Sequence, residues 1–173
     1  MFDGINLQSS SYSMIIILSI LSFYSNFLLA KIILISLLGY SFLNYKEKSF
    51  LGDSGSLLIA FIIGYFFIKL YNYGKIDFTD EVVIYMLVPG IDLIRLFFKR
   101  ILLKKNPLKS DRFHLHHLLL YKYTFFKSLI ILLCLVIMPI LMNYLNFEKL
   151  FIILFFILIY SLLLIHLTYN KSR

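Results

Sequence analysis

The Asp53 motif, residues 50–56, holds the residues best suited to chemistry in the first half of the chain, and an apolar run over residues 57–70 follows it directly. This pattern predicts a helix that begins at a membrane surface, because Gly52 permits a tight turn and Asp53 suits the N-cap position. The free N–H groups of a helix N-terminus bind phosphate, and a neighbouring carboxylate can hold a magnesium ion that bridges to that phosphate. From these residues alone a simple capping role for Asp53 is favoured, since Asp is a leading N-cap residue.

The second polar group is the histidine loop, residues 104–123, in which His114, His116 and His117 follow Arg112. Helical spacing places His114 and His117 on one face and His116 on another. The histidine spacing matches no standard zinc motif. Arg binds phosphate through two hydrogen bonds and a His N–H can donate to a phosphate oxygen, so the group predicts an anion site. Charge alone favours a basic patch that holds anionic lipid headgroups, whereas the clustering of the histidines favours a specific site.

The composition indicates that both polar groups belong to a membrane protein. Hydrophobic residues make up 61% of the 173-residue chain, against about 45–50% in soluble domains. Several apolar runs approach the ~20 residues that cross a bilayer. We therefore predict an all-α fold, a polytopic membrane helix bundle of about six transmembrane helices that forms a single domain over residues 1–173. The predicted spans are residues 14–29, 27–42, 54–71, 82–103, 125–144 and 149–167.

Loop charges give the predicted orientation of this bundle. Nearly all Lys and Arg residues of the loops fall on the side that holds both termini, the Asp53 motif and the histidine loop, whereas the acidic loop 72–81 falls on the other side. Basic loops face the cytoplasm, so both termini and both polar groups are predicted to be cytoplasmic. The formal net charge of +8 therefore reflects membrane topology, and no nucleic-acid partner is expected.

The predicted span 82–103 is unusual because it contains both a helix-breaking pair and ionisable side chains. Pro89 and Gly90 lie near its middle and are expected to kink it. Asp92 and Arg95 follow at a spacing that puts them on one helix face. Ionisable groups inside a span normally pair with each other or line a polar cavity, and the residues leave these two interpretations open.

Four stretches of the chain carry a resemblance to a known family. Residues 50–56 read Phe-Leu-Gly-Asp-Ser-Gly-Ser, and residues 89–100 begin with Pro-Gly-Ile-Asp. Residues 107–117 fit the pattern Pro-x-x-x-Asp-Arg-x-His-x-His-His, and residues 1–6 fit the end of an Asn-x-x-Asp-Gly-x-Asn segment. Taken in chain order, the motifs resemble the C-terminal half of the bacterial polyprenyl-phosphate N-acetylhexosamine-1-phosphate transferases. The histidine-rich pattern is similar to the N-acetylglucosamine branch of that family rather than to the muramoyl-pentapeptide branch.

The resemblance implies the reaction of that family, in which undecaprenyl (polyprenyl) phosphate attacks the β-phosphorus of a UDP-N-acetylhexosamine and UMP leaves. It implies Mg²⁺ as the cofactor, with Mn²⁺ as an alternative. The implied location is the bacterial inner membrane, as a multi-pass protein with its active-site loops in the cytoplasm. The implied pathway is cell-wall or surface-polysaccharide synthesis, including lipopolysaccharide.

The same resemblance implies roles for particular residues. Asp53 would be the magnesium ligand and the catalytic carboxylate. Asp92 and Arg95 would support the site rather than contact the substrate. The spacing between Asn44 and the Asp53 motif is slightly shorter than in the family. The residues that would bind the sugar nucleotide or its phosphates are Asp3, Asn44, Arg112, His114, His116 and His117.

Two departures from the family pattern bear on activity. The chain is much shorter than family members, and it contains no adjacent pair of aspartates like that of the family's N-terminal half. We therefore expect the isolated chain to be inactive or nearly so, and to need a missing N-terminal half or a second copy of itself. Two other classes stay open. One is a non-catalytic membrane protein that binds a nucleotide sugar or lipid phosphate, and the other is a transporter that uses Asp92 and Arg95.

Overall fold

The computed structural model describes residues 6–104, 106 and 113–169. Within these residues the chain forms helices joined by turns and loops, with no β-strand, which confirms the predicted all-α fold. The helices are α1 (Gln8–Phe23), α2 (Leu28–Tyr45), α3 (Gly52–Asn72), α4 (Thr79–Tyr85), α5 (Leu87–Leu102), α6 (Leu115–Lys122), α7 (Phe125–Tyr144) and α8 (Lys149–Tyr169).

Four of the described helices are long and apolar enough to cross a membrane. These are α2, α3, α7 and α8, and they correspond to four of the predicted spans. Many of their large apolar side chains, such as Ile35, Phe61 and Leu154, are exposed on the protein surface. Such exposure is expected where the surrounding solvent is lipid rather than water. These features support a multi-pass membrane protein.

The first predicted span, residues 14–29, is only partly matched by α1, an apolar helix of 16 residues that begins earlier and ends at Phe23. In its serine-rich first half the serine hydroxyls donate to backbone carbonyls of the preceding turn, which satisfies these polar side chains where they are buried in the helix. For example, Oγ of Ser13 donates to the carbonyl of Ser9 at 2.7 Å. The polar start of α1 therefore belongs to the helix and not to a loop in front of it.

The predicted span 82–103 is divided at Met86 into α4 and α5, ahead of the expected kink at Pro89 and Gly90. Pro89 has no N–H, and its ring crowds the carbonyl of Tyr85, which lies four residues earlier. The helix therefore breaks one turn before the proline. Regular bonding resumes at the N–H of Gly90, which donates to the Met86 carbonyl at 2.8 Å.

The chain divides into two compact units, Met1–Val82 and Val83–Arg173. In the first unit α1 packs against both α2 and α3. An aromatic group joins the turn between α1 and α2 to the end of α3, and its members are Tyr24, Phe27, Phe66 and Tyr73. Whether residues 1–173 form a single domain depends on how the two units are arranged, so the single domain stays a prediction.

In the second unit α5 and α6 both pack against α7 and α8. An apolar core joins the end of α4 and the start of α5 to α8, and its buried members are Ile84, Leu87, Ile152 and Phe156. The short turn between α7 and α8 makes these two helices antiparallel neighbours. This packing sets the polar side chains of α5 beside α8 and beside the histidines at the start of α6.

Candidate functional site

The second unit contains a buried polar network centred on Asp92 of α5, a residue that is 8% exposed. Its Oδ1 accepts hydrogen bonds from Nη2 of Arg95 at 2.7 Å and from the Tyr160 hydroxyl at 2.6 Å. Its Oδ2 lies 2.8 Å from Nδ1 of His114. Side chains from α5, from α8 and from the residue before α6 therefore converge on one carboxylate. A buried carboxylate requires such partners, because burial of an unpaired charge is very costly.

His114 is the N-cap residue of α6, with an extended backbone (φ −59°, ψ 150°). Its carbonyl accepts hydrogen bonds from the N–H groups of His117 (3.0 Å) and Leu118 (3.2 Å), which form the first turn. The N–H of Leu115 instead donates to Oδ1 of Asp92 at 3.3 Å. The carboxylate thus satisfies one of the free N–H groups of the helix N-terminus, where negative charge is favourable.

The three predicted histidines come together beside this network. The rings of His114 and His116 are almost parallel, with centroids 5.6 Å apart. The ring centroids of His116 and His117 are 4.2 Å apart. The expectation that His116 points away from His114 is wrong, because His114 precedes the helix and its extended backbone takes it out of helical register.

His116 is a buried member of this group, and it lies on α6, outside the four helices that can cross a membrane. Burial, and then the neighbouring His117 and His114, lower the pKa of His116 to about 4. The imidazole is therefore neutral at pH 7, with one donor and one acceptor nitrogen. It can contact a phosphate or a sugar hydroxyl without adding charge to the cluster.

Arg95 makes hydrogen bonds in three directions. Besides its ion pair with Asp92, Nη2 donates to the carbonyl of Phe113 at 2.7 Å, and Nε donates to the Tyr160 hydroxyl at 3.0 Å. Of the two interpretations left open by the sequence, the internal Asp92–Arg95 pair is confirmed. The pair also holds the backbone of the residue that precedes His114, so it does more than neutralise two charges.

Tyr160 is the member of the network that the sequence did not indicate. It is 3% exposed and lies in the middle of the apolar helix α8. The only available signal was general: a buried tyrosine hydroxyl usually has a hydrogen-bond partner. The carbonyl of Phe113 and the N–H of Leu115 were also missed, because a backbone group carries no signature in the residue type.

Asp53 lies in the first turn of α3, and its side chain is exposed. The capping role that the sequence favoured is wrong, because the N-cap residue is Leu51 and no side chain caps the helix. The tight turn occurs at Gly52 (φ 65°), a backbone conformation that suits glycine, so Asp53 is already inside the helix. Within the described part of the chain its carboxylate makes no hydrogen bond or ion pair. It is therefore available to a ligand at a helix N-terminus.

Asn44, near the end of α2, is buried and bonded at both ends of its amide. Its Oδ1 accepts a hydrogen bond from the N–H of Leu7 at 2.6 Å, and its Nδ2 donates to the carbonyl of Ser49 at 2.8 Å. The side chain thus ties the start of α1 to the loop that leads into the Asp53 motif. Its substrate-binding role stays a prediction, whereas the structure shows its two hydrogen bonds to the backbone.

Two of the predicted substrate-binding residues, Asp3 and Arg112, lie outside the described residues. Among the residues that the structure describes, no three His, Cys, Asp or Glu side chains form a group that could hold a metal ion. Asp53 belongs to the first unit and the three histidines to the second. The metal and substrate roles of these residues therefore stay predictions.

Fold and site together define a multi-pass helical membrane protein with a buried carboxylate–histidine network. Over 95 residues the chain is 34% identical to the undecaprenyl-phosphate alpha-N-acetylglucosaminyl 1-phosphate transferase of Haemophilus influenzae, a match over 50% of this chain and 26% of that protein. It is 33% identical over 96 residues to the enzyme of the same name from Pasteurella multocida, which covers 51% of this chain and 27% of that protein. It is 35% identical over 88 residues to the decaprenyl-phosphate N-acetylglucosaminephosphotransferase of Mycolicibacterium smegmatis, with coverage of 44% and 22%.

These matches confirm the predicted resemblance as a partial one. The matched region is about half of this chain and about a quarter of the length of these curated relatives. No family profile and no solved structure matches the chain.

Proposed function

We propose that the chain forms part of an active site that transfers N-acetylhexosamine-1-phosphate from a UDP-sugar to a polyprenyl phosphate in the bacterial inner membrane. The observation that carries the proposal is His114, a buried histidine held by Asp92 beside two further histidines, in a membrane chain similar to named transferases of this kind. The names of those relatives supply the acceptor lipid and the N-acetylglucosamine phosphate. The product would be the lipid-linked sugar from which a surface polysaccharide is extended.

The proposed reaction forms one bond and breaks one. An oxygen of the polyprenyl phosphate attacks the β-phosphorus of the UDP-sugar and forms a new diphosphate linkage. The bond from the β-phosphorus to the oxygen that bridges to the α-phosphorus breaks, and UMP leaves with that oxygen. The protein contributes mainly by positioning the two phosphates and by stabilising their charge.

The histidine cluster supplies donors for this purpose. Imidazole N–H groups donate hydrogen bonds to phosphate oxygens, and such bonds are strong because the acceptor is charged. Since the cluster lies at the start of α6, the positive end of a helix dipole adds to the attraction for an anion. Arg112 would add a bidentate partner at the same loop.

Asp53 fits the requirements of a magnesium ligand. Mg²⁺ usually keeps several waters and is held by one or two carboxylates together with substrate phosphates. The Asp53 carboxylate is exposed in the first turn of a helix, where it can hold an ion whose bound phosphate accepts hydrogen bonds from the helix N-terminus. When bound, the ion would neutralise charge on the diphosphate. Asn44 would hold the loop before this motif in place.

The transporter alternative depends on Asp92 and Arg95 as ionisable groups that line a pathway. Both side chains are instead bonded to each other and to Tyr160, His114 or the Phe113 carbonyl. This arrangement supports their role in holding a site. A non-catalytic protein that binds a nucleotide sugar remains the competing proposal, and it predicts binding without release of UMP.

The test combines binding and turnover. The purified chain in lipid nanodiscs is titrated with UDP-N-acetylglucosamine and Mg²⁺. Membranes of the source cells, which contain any partner chain, are assayed for UMP release with undecaprenyl phosphate. Asp53→Asn and His114→Gln should each lower UMP release by about 10²-fold or more. Lys75→Gln, at an exposed loop residue, is the control and should match the wild type. The proposal would be overturned if the chain binds UDP-N-acetylglucosamine in nanodiscs but neither substitution changes the release of UMP.

A further inference from the structure

We propose that Asp92 is a positioning residue: it fixes the tautomer and orientation of His114, so that Nε2 is the nitrogen of His114 that meets a substrate phosphate. The part of this proposal that concerns a substrate phosphate rests on the proposed function. The part that concerns the tautomer of His114 rests on the geometry alone. The two parts can therefore be tested separately.

The hydrogen-bonding chemistry of the two side chains determines the tautomer. An ionised carboxylate only accepts hydrogen bonds, so the 2.8 Å contact between Oδ2 of Asp92 and Nδ1 of His114 requires the proton on Nδ1. In the neutral ring Nε2 is then the acceptor, and on protonation Nε2 becomes a donor while Nδ1–H keeps its bond. In both states the ring is held in the same orientation.

The Asp92–Arg95 ion pair does not by itself explain this contact. The two oxygens of the carboxylate have different partners. Oδ1 accepts hydrogen bonds from Arg95, from the Tyr160 hydroxyl and from the Leu115 amide, whereas Oδ2 lies beside Nδ1 of His114. An ion pair with Arg95 alone would leave Oδ2 without a specific partner. The second oxygen is therefore used to orient the histidine.

The same pair also holds the backbone on both sides of His114. Nη2 of Arg95 donates to the carbonyl of Phe113, which precedes it, and the N–H of Leu115, which follows it, donates to Asp92. Ring, preceding carbonyl and following amide are thus held by one ion pair of α5. This is the kind of support that keeps a side chain within the small positional tolerance of a binding or reacting group.

Asp92 also provides an electrostatic effect at His114. If Nε2 gains a proton beside a phosphate, the resulting imidazolium lies against a carboxylate, which stabilises its charge. A buried aspartate bonded to the far nitrogen of a histidine has the same two effects in hydrolytic triads, on orientation and on charge. In this proposal the aspartate contacts His114 rather than the substrate, so it acts as a positioning residue.

The first test is the protonation state of His114 in the purified chain without substrate. In ¹⁵N-histidine-labelled protein in nanodiscs, the His114 signals are assigned as those missing in His114→Gln. We expect a protonated Nδ1 in the wild type and loss of that pattern in Asp92→Asn. Asp77→Asn, an exposed loop variant, should leave it unchanged, and Tyr160→Phe should keep Nδ1 protonated because the carboxylate remains. An unprotonated Nδ1 in the wild type overturns the proposal even if Asp92→Asn does not fold.

The second test addresses the phosphate. Addition of UDP-N-acetylglucosamine to labelled wild-type protein should shift the Nε2 signal of His114 more than the Nδ1 signal. In active membranes Asp92→Asn should lower turnover by about 10²-fold, as expected for a mispositioned group. Asp92→Glu should recover part of that loss if its carboxylate reaches Nδ1. If Nδ1 is protonated and the protein binds the nucleotide sugar, but the Nε2 signal does not respond, the phosphate contact of His114 is overturned. The tautomer and the proposed function would both stand.

Discussion

The hydroxyl of Tyr160 lies 2.6 Å from Oδ1 of Asp92, although 68 residues separate the two in the chain. The same hydroxyl accepts a hydrogen bond from Nε of Arg95 at 3.0 Å. Tyr160 therefore connects both partners of the buried ion pair to α8. Because the pair also holds the backbone around His114, the position of α8 is coupled to the position of the histidines.

We expect Tyr160→Phe to lower the free energy of unfolding by about 1.5–3 kcal/mol, because it removes a hydrogen bond to a charged group and leaves Arg95 Nε without its acceptor. The measurement is denaturant-induced unfolding of the protein in detergent micelles, followed by circular dichroism. Tyr71→Phe is a matched control, since Tyr71 is 64% exposed on α3. Equal stability losses in the two variants would contradict the structural role of the Tyr160 hydroxyl.

Asn44 should stabilise the loop in front of the Asp53 motif. Asn44→Ala removes the acceptor of the Leu7 N–H and the donor to the Ser49 carbonyl, so two part-buried backbone groups lose their partners. We expect a loss of about 1–3 kcal/mol in the free energy of unfolding. Hydrogen exchange should become faster at the Leu7 amide and over residues 46–51.

Asn26→Ala, at an exposed turn residue, is the control for this prediction. If Asn44 only contacted substrate, Asn44→Ala would leave hydrogen exchange of the ligand-free protein at the control level. Asn44→Asp is a second variant that keeps the acceptor for Leu7 but loses the donor to Ser49. It should therefore affect the 46–51 loop more than the Leu7 amide.

His116 should make the protein less stable in acid. Burial, His117 and His114 hold its pKa at about 4 in the folded protein, despite the opposing effect of Asp92, whereas an ordinary histidine has a pKa of about 6.5. The unfolded chain therefore binds more protons in this interval, and the free energy of unfolding should fall as the pH falls from about 6.5 to about 4. The slope approaches about 1.4 kcal/mol per pH unit for one such group.

The check is a series of unfolding curves between pH 8 and pH 4 for the wild type and for His116→Gln. At pH 8 the two proteins differ only by the packing change. The difference between them should shrink or reverse towards pH 4, because glutamine does not titrate. Parallel pH profiles would show that His116 does not carry this part of the acid sensitivity.

The sequence indicated the parts of the site better than their connections. A charge inside an apolar run and three clustered histidines are visible in residue types, so Asp92, Arg95 and His114 could each be selected. The contact between them could not be predicted, because Asp92 and His114 meet only through the packing of α5 against its neighbours in the second unit. The predicted orientation of His116 was wrong for a related reason. The prediction placed His114 in the same helix, whereas the helix begins after His114.

Helix boundaries were the other limit of sequence reasoning. Asp53 has the side chain of an N-cap residue, but the positive φ of Gly52 moves the start of α3 to the glycine. The proline was correctly expected to kink this segment, yet the break lies one turn earlier, at Met86, because the ring crowds the carbonyl of Tyr85. The four longest apolar helices needed no such detail, and they match the predicted spans closely.

Pro89 should be the cause of the break that separates α4 from α5, and Pro89→Ala tests this directly. Alanine restores an N–H that can donate to the Tyr85 carbonyl, and it favours helix strongly. We expect one continuous helix through residue 86. Spin labels at Val83 and Ile101, both exposed, should then move apart towards the ~27 Å of a straight helix of that length.

Gly90→Ala is the matched control for the Pro89 variant, because a Cβ at Gly90 meets no atom within 4 Å and the proline remains. Its label distance, measured like the others with the native Cys134 replaced by serine, should equal that of the parent protein. Straightening the helix would also move Asp92 relative to α8, since the core that joins them includes Leu87 and Phe156. Pro89→Ala should therefore weaken the Asp92 bond to Tyr160 and disturb the His114 tautomer as well. An unchanged label distance in Pro89→Ala would mean that core packing, and not the proline, holds the break at Met86.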